Sequence, residues 1–253
     1  WVRLNDDPTD YINVQEAVDA AQPGDVVKVA GRCSGVTARP RNDLTTTGLV
    51  TQVVYLTQIL TLQGGYAAKN FTHAYPLTQP TFLDALGAGR VVYVANEAQP
   101  ILTGLQLTGG NATGQGGHPT GDAGGGLYAA HTTVTVDACQ FYDNVADWGS
   151  AIHVALGQVD LRNTTIGGNQ THTGGALHTW ESDLYARHTT LAHNTGIGVY
   201  LEEAGTAWLT NTILFSHTVG ITATNGATAW LQATLWGNDL DWDVNNTAIQ
   251  TAA

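Results

Sequence analysis

The chain has 253 residues and a net charge of -12, from 21 acids against 9 bases. That balance argues against nucleic acid or an anionic membrane surface as partner, because both call for a basic patch; a run of about 18 apolar residues, enough to span a membrane, is also absent. Charged residues make up only 12%, while 30 glycines and frequent Thr and Val point to many strands joined by tight turns.

Residues 1–11 are polar and acidic, with a turn expected around Pro8. Ile12, Val14, Ala17, Val18 and Ala21 recur at helical spacing until Pro23-Gly24-Asp25 stops them. VVKVA at 26–30 then enters a strand. A short helix ahead of the first coil would cover the open end of the sheets that follow. The polar run 39–48 is expected to project as a loop, strands resume at 53–56 and 59–66, and 67–80 forms a second loop. TFLDA and GRVVYVA make the next coil, and ILTGLQLTGGN closes another at Asn111. The glycine-rich stretch TGQGGHPTGDAGGG (113–126) follows, and long solenoid loops of this kind are where a ligand would be held.

From 124 to 239 the chain repeats one phrase five times. Val134, Val159, Leu184, Ala207 and Ala229 hold equivalent positions, at steps of 25, 25, 23 and 22 residues. Within each copy apolar residues alternate at period two, as in Val134/Val136 and Leu184/Ala186, which is strand periodicity. Each of the first three units opens with a glycine-led strand (Leu127, Ile152, Leu177), and all five carry a strand ending at Phe141, Ile166, Leu191, Leu214 or Trp236. The unit is too short for a four-stranded propeller blade and lacks helical spacing, so it matches one coil of a parallel β-helix. Stacking then predicts columns of like residues. Asn144, Asn169 and Asn194 should bond from coil to coil, and Cys139, Thr164, Thr189, Thr212 and Thr234 should form a small polar inward column.

VQEAVDAAQPGDVVKVAGRCSGV resembles the entry segment of right-handed parallel β-helix proteins of the pectate-lyase-like superfamily. GGGLY, GGALH and FYDN resemble the GG-apolar and F-x-x-N repeats of polymorphic outer-membrane-type surface proteins. The resemblance implies an all-β fold, a single-stranded right-handed parallel β-helix (β-solenoid) with a short N-terminal capping helix. One domain is expected over 1–253: cap and first strand at 1–30, early coils with projecting loops at 31–123, regular coils at 124–241 and a C-terminal edge without a full coil at 242–253. Absence of Met, at position 1 as elsewhere, predicts a processed or trimmed chain whose targeting signal has been removed. Cys33 and Cys139 are placed about four coils apart, beyond disulfide reach, and are expected as unpaired core residues.

Function should lie on outward columns. Thr135, Asp160, Tyr185, Trp208 and Trp230 form one of them, so Tyr185, Trp208 and Trp230 make an aromatic strip suited to sugar rings. Tyr128, His153 and His178 form another, read as solvated sheet surface because no third metal ligand is evident at matching reach; no metal site is assigned, and His118 and Asp122 in the glycine-rich loop receive no role. Asp160, Glu181, Asp183 and Glu202, with Glu203, are the candidate catalytic carboxylates, a cluster that could also recruit calcium. The N-T-D, D-D, G-H-G and R-x-K set of polygalacturonase-like members is missing, and so are the companions of a pectate-lyase arginine beside Arg162 and Arg187. The resulting expectation is a non-enzymatic extracellular or cell-surface module for adhesion, fibre or surface structure. Its partners would be polysaccharide or neighbouring surface proteins, with self-assembly through the exposed end coil. The alternative is a polysaccharide lyase or glycoside hydrolase; an ice- or mineral-binding Thr face ranks below both, since the clear Thr column points inward.

Overall fold

A computed structural model of the chain describes residues 1–42, 48–94, 97–244 and 248–251. It is a parallel β-solenoid of right-handed type with one short helix. Each coil contributes a strand to three sheets in turn. The first sheet carries strands such as Thr133–Asp137, Gln158–Arg162, Asp183–Arg187, Thr206–Thr210 and Thr228–Gln232; the second carries Gln140–Tyr142, Thr165–Gly167, Thr190–Ala192 and Ile213–Phe215; the third carries Leu127–Ala130, Ile152–Ala155, Gly175–Trp180 and Ile197–Glu202.

The expected interior row is continuous. Val134, Val159, Leu184, Ala207 and Ala229 pair in register from strand to strand, and each is fully buried. A parallel row runs through Phe141, Ile166, Leu191, Leu214 and Trp236 in the second sheet. Alternating side chains thus fill one axial core, which is what stabilises a solenoid whose coils have no core of their own.

Turns between the first and second sheets share one device. Ala138, Asn163, His188, Asn211 and Ala233 each adopt a left-handed conformation with φ between 48° and 52°. The next residue in the small polar column folds back onto the chain: Thr164, Thr189 and Thr212 each donate Oγ1–H to the carbonyl two residues earlier, and Cys139 does the same with its thiol at 3.3 Å from Asp137 O. Four side chains of this column therefore satisfy the turn rather than one another, while the Thr234 hydroxyl in the last coil has no partner among the described residues. Both cysteines are free. They lie three strand steps apart in the second sheet rather than four, because the insert at 67–80 adds chain without adding a coil.

The asparagine column bonds along the axis as expected. Asn144 donates Nδ2–H to Asn169 Oδ1 at 3.0 Å and Asn169 donates to Asn194 Oδ1 at 2.9 Å, while their amides also reach the backbone carbonyls of Leu107 and Phe141. The ladder then continues where the sequence changes residue type. Asn194 Nδ2–H meets His217 Nε2 at 3.1 Å, and His217 Nδ1 meets Asn238 Oδ1 at 2.9 Å.

Both ends of the stack are managed. The helix spans Val14–Ala20, shorter than the periodic segment, since Asn13 caps its N-terminus by accepting from Glu16 N–H. Its buried side, Val14, Ala17 and Val18, packs on the core. Two edge strands were not apparent from the sequence: Val2–Leu4 pairs antiparallel with the strand Val26–Ala30, and Thr37–Pro40 pairs antiparallel with Leu49–Leu56. The second occupies the start of the run read as a loop, whose residues 43–47 lie outside the described part. At the other end the coils run further than expected. Leu240–Val244 joins the third sheet and Ala248–Thr251 the first, and Trp242 extends the inward row from Ile221, packed edge-on against Trp236.

Candidate functional site

Two outward columns carry the residues that chemistry could use, and they end up in opposite surroundings. On the first sheet, Asp160, Tyr185, Trp208 and Trp230 lie in register on successive coils. Tyr185 and Trp208 stack on each other, with ring centroids 4.5 Å apart and planes within 4°. No ring contact joins Trp230 to them among the described residues, and it is 41% exposed. Asp183, Thr206 and Thr228 flank this strip on one side, and Arg187, Thr210 and Gln232 on the other. The face is therefore an aromatic ridge, with Tyr185 and Trp208 stacked along the axis and Trp230 beyond them, edged with hydrogen-bonding groups.

The third sheet's column runs through Tyr55, Tyr93, Tyr128, His153, His178 and Tyr200. Its rings stack along the axis at centroid spacings of 5.0 Å (Tyr55–Tyr93), 5.2 Å (Tyr93–Tyr128), 5.4 Å (Tyr128–His153) and 5.0 Å (His153–His178). This is not solvated surface, as its alternation implied. His153 and His178 are fully buried, because the glycine-rich loop folds back over the column. Two short strands, Gly117–His118 and Gly121–Asp122, form a small hairpin in that loop. Gly117, at φ +113°, lies so close to Tyr128 that a Cβ would come within 2.5 Å of its ring, so only glycine lets the loop lie flat there.

Arg90 and Asp122 hold the loop down. The buried Arg90 guanidinium donates to Ala123 O at 2.9 Å and Gly116 O at 2.6 Å, and lies over the Tyr128 ring at 4.7 Å. Desolvation lowers its pKa to about 10, which still leaves it charged at neutral pH. Asp122 accepts from the Gly114 and Gly116 amides at 2.8 and 2.6 Å, and its own amide donates to Asp147 Oδ2. Arg41 also donates to Gln115 O.

The loop thereby carries His118 onto the sheet. Glu202 Oε2 lies 3.3 Å from His118 Nε2 and 3.2 Å from His178 Nε2, and the three donor atoms lie within 4.8 Å of one another. Trp148 stacks on His118 at 4.2 Å and reaches His178 at 5.0 Å, while Trp180 and Tyr200 meet the same histidines edge-on. Hydrogen bonds from His118 and His178 hold the Glu202 carboxyl at about 2, well below its ordinary value. Burial pushes His153 and His178 below the usual imidazole range, with Glu202 pulling His178 back in part.

The carboxylates grouped from the sequence separate accordingly. Glu202 belongs to the histidine cluster. Asp160 and Asp183 sit on the outer side of the first sheet, Asp160 with Arg162 at 3.9 Å, and Glu181 occupies the left-handed turn between the third and first sheets. His118, Trp148 and Arg90 were missed. A histidine framed by glycines in GGHPTGD, facing two histidines 25 residues apart, was the available signal for the first. Trp148 and Arg90 carried none, because their roles depend on a long loop whose path the repeat does not fix.

Comparison with protein-family models finds no match, and comparison with curated proteins finds none either. Among solved structures, the GH136 lacto-N-biosidase from Eubacterium ramulus is similar at 10% identity over 92% of this chain, with a TM-score of 0.31. This chain spans 57% of that protein's length, and a likeness this distant says nothing about activity.

Proposed function

We propose that the chain is a rigid, non-enzymatic extracellular or cell-surface module that binds polysaccharide along the outer face of its first sheet. The observation that carries this reading is the register-locked track of Tyr185, Trp208 and Trp230 with hydrogen-bonding side chains on both sides. Successive coils rise by about 4.8 Å, comparable with the length of one sugar residue, so a linear glycan lying along the axis would meet an equivalent rung at each step. Trp230 offers the most exposed ring, and the Tyr185–Trp208 stack continues the column on the two preceding coils. Thr206, Thr210, Thr228 and Gln232 supply the polar partners that sugar hydroxyls need.

Affinity electrophoresis through gels cast with a panel of neutral and acidic polysaccharides tests this. The native chain should be retarded by at least one polymer, and Trp230→Ala should lose most of that retardation while melting at the same temperature. Retardation that survives both Trp230→Ala and Trp208→Ala would remove this face as the binding surface. Release of reducing ends or unsaturated products from any polymer would replace the binding module with a hydrolase or lyase.

A further inference from the structure

Beyond glycan binding, we infer that His118, His178 and Glu202 form a binding site for one divalent transition-metal ion of the zinc class, which clasps the glycine-rich loop to the third sheet. Zinc takes imidazole nitrogen and carboxylate oxygen at about 2.0–2.2 Å in a tetrahedron, which puts neighbouring ligand atoms roughly 3.4 Å apart. Glu202 Oε2 stands 3.3 Å from His118 Nε2 and 3.2 Å from His178 Nε2, so two edges of that tetrahedron are already set. Two imidazoles and one carboxylate favour zinc, cobalt, nickel or copper over calcium, which seeks oxygen ligands throughout.

The second, independent feature is the support behind the ligands. In metal-binding histidines the ring nitrogen away from the ion is hydrogen-bonded, which fixes the ring's orientation. Here His118 Nδ1 lies 3.0 Å from Thr120 Oγ1, which can accept from it once an ion takes Nε2, whereas without an ion Nδ1 accepts from the Thr120 amide at 3.3 Å; His178 Nδ1 lies 2.9 Å from Nδ1 of the buried His153. The His153–His178 contact also requires that one ring donate and the other accept. Without an ion, His178 donates Nε2–H to Glu202, so its Nδ1 accepts from His153. That leaves the buried Nε2 of His153 a bare lone pair, and this atom has no hydrogen-bond partner among the described residues. With an ion on His178 Nε2 the pair reverses: His178 Nδ1–H donates, and His153 carries its proton on Nε2, which has no partner in either state, so the tautomer reports the ion rather than drawing it in.

Three ligands from two distant segments explain what the ion would do. His118 comes from the loop, while His178 and Glu202 come from adjacent strands of the third sheet. Trp148, 8% exposed, covers one side, and the outlet toward solvent lies along the Glu202 carboxylate. Three protein ligands leave the fourth position to a water, so the ion would tie the loop to the sheet while keeping one open position.

The full chain, stripped with a chelator and titrated with zinc chloride alone, tests this by calorimetry and by metal analysis after gel filtration. One zinc per chain should bind, and the melting temperature should rise with zinc concentration. Cobalt should give the visible bands of a tetrahedral site, and calcium should leave the melting temperature unchanged. His118→Ala and Glu202→Gln should weaken zinc binding by more than the roughly 10–100-fold that loss of an outer partner costs, and Thr120→Ala by an amount within that range. His172→Ala, at an exposed loop histidine, serves as the control and should bind as the native chain does. Nitrogen-15 spectra should show the His153 proton moving from Nδ1 to Nε2 as zinc is added. Zinc uptake no greater than that of His118→Ala, or a His153 tautomer indifferent to zinc, would overturn the site. Polysaccharide retardation by His118→Ala should match the native chain, so this inference and the glycan reading can fail separately.

Discussion

The outer faces of the first and third sheets are built by the same rule and finish as opposites. Each presents an in-register column of rings, Tyr185–Trp208–Trp230 on one and Tyr128–His153–His178 on the other. The first stays open to solvent with polar residues at its margins. The third becomes a second core, because one loop of glycines, pinned by Arg90 and Asp122, can lie flat enough to cover it. Strand register decides which residues share a column. What lies over that column decides whether it meets a polymer or closes around a buried polar cluster.

The largest way to break this contrast is to release the cover. Arg90→Met leaves the buried Ala123 carbonyl without its donor and takes from Gly116 O one of two donors, the other being the Ala123 amide; it should cost about 3 kcal/mol, measured by urea unfolding. Hydrogen exchange should rise at 112–123 and not along the first sheet. If both faces lose protection equally, the loop is not an independent cover.

Asn169→Ala should instead weaken both faces together, because its amide bonds Asn144, Asn194 and the Phe141 carbonyl on the shared axis. A loss of about 2 kcal/mol is expected, with a single cooperative transition. Acid should act on the same ladder through His217. Burial lowers the pKa of His217 below its unfolded value near 6.5. The unfolded chain then binds the proton more readily, so this contribution is complete above about pH 6.5 and is lost as the pH falls toward the folded value. A protonated ring would also aim Nε2–H at the Asn194 amide, whose oxygen already serves Asn169. His217→Asn, which continues the ladder with a group that does not titrate, should flatten part of the slope of stability against pH between 7 and 5.

The smallest expected effect is a gain. Ala233 holds a left-handed turn at φ 51° that costs an alanine roughly 1 kcal/mol. Ala233→Gly should recover a large part of that, read as a rise in melting temperature without change on either face.

Much of this was legible in the sequence where repetition forced it. Val134, Val159 and Leu184 must stack once their spacing equals one coil, and the same count put Tyr185 beneath Trp208 and His153 beneath His178. Asn144, Asn169 and Asn194 could be read as a ladder for the same reason. Legibility ended where the repeat did. The path of residues 112–123 depends on a buried arginine, two aspartate-capped turns and a glycine pressed on Tyr128, none of which has a period. His118 and Glu202 therefore looked unrelated, although 84 residues of separation collapse to a hydrogen-bond distance. His217 was hidden differently: it fills an asparagine's place by offering one acceptor and one donor nitrogen in the same direction.

Hydroxyl-radical footprinting read by mass spectrometry compares the two faces in one experiment on the intact chain. Trp230 should oxidise rapidly, while Trp148, His153 and His178 stay protected until Arg90→Met or denaturant lifts the loop. Native-state oxidation of Trp148 and His178 at the rate of Trp230 would contradict the covered third face and the clasp built on it.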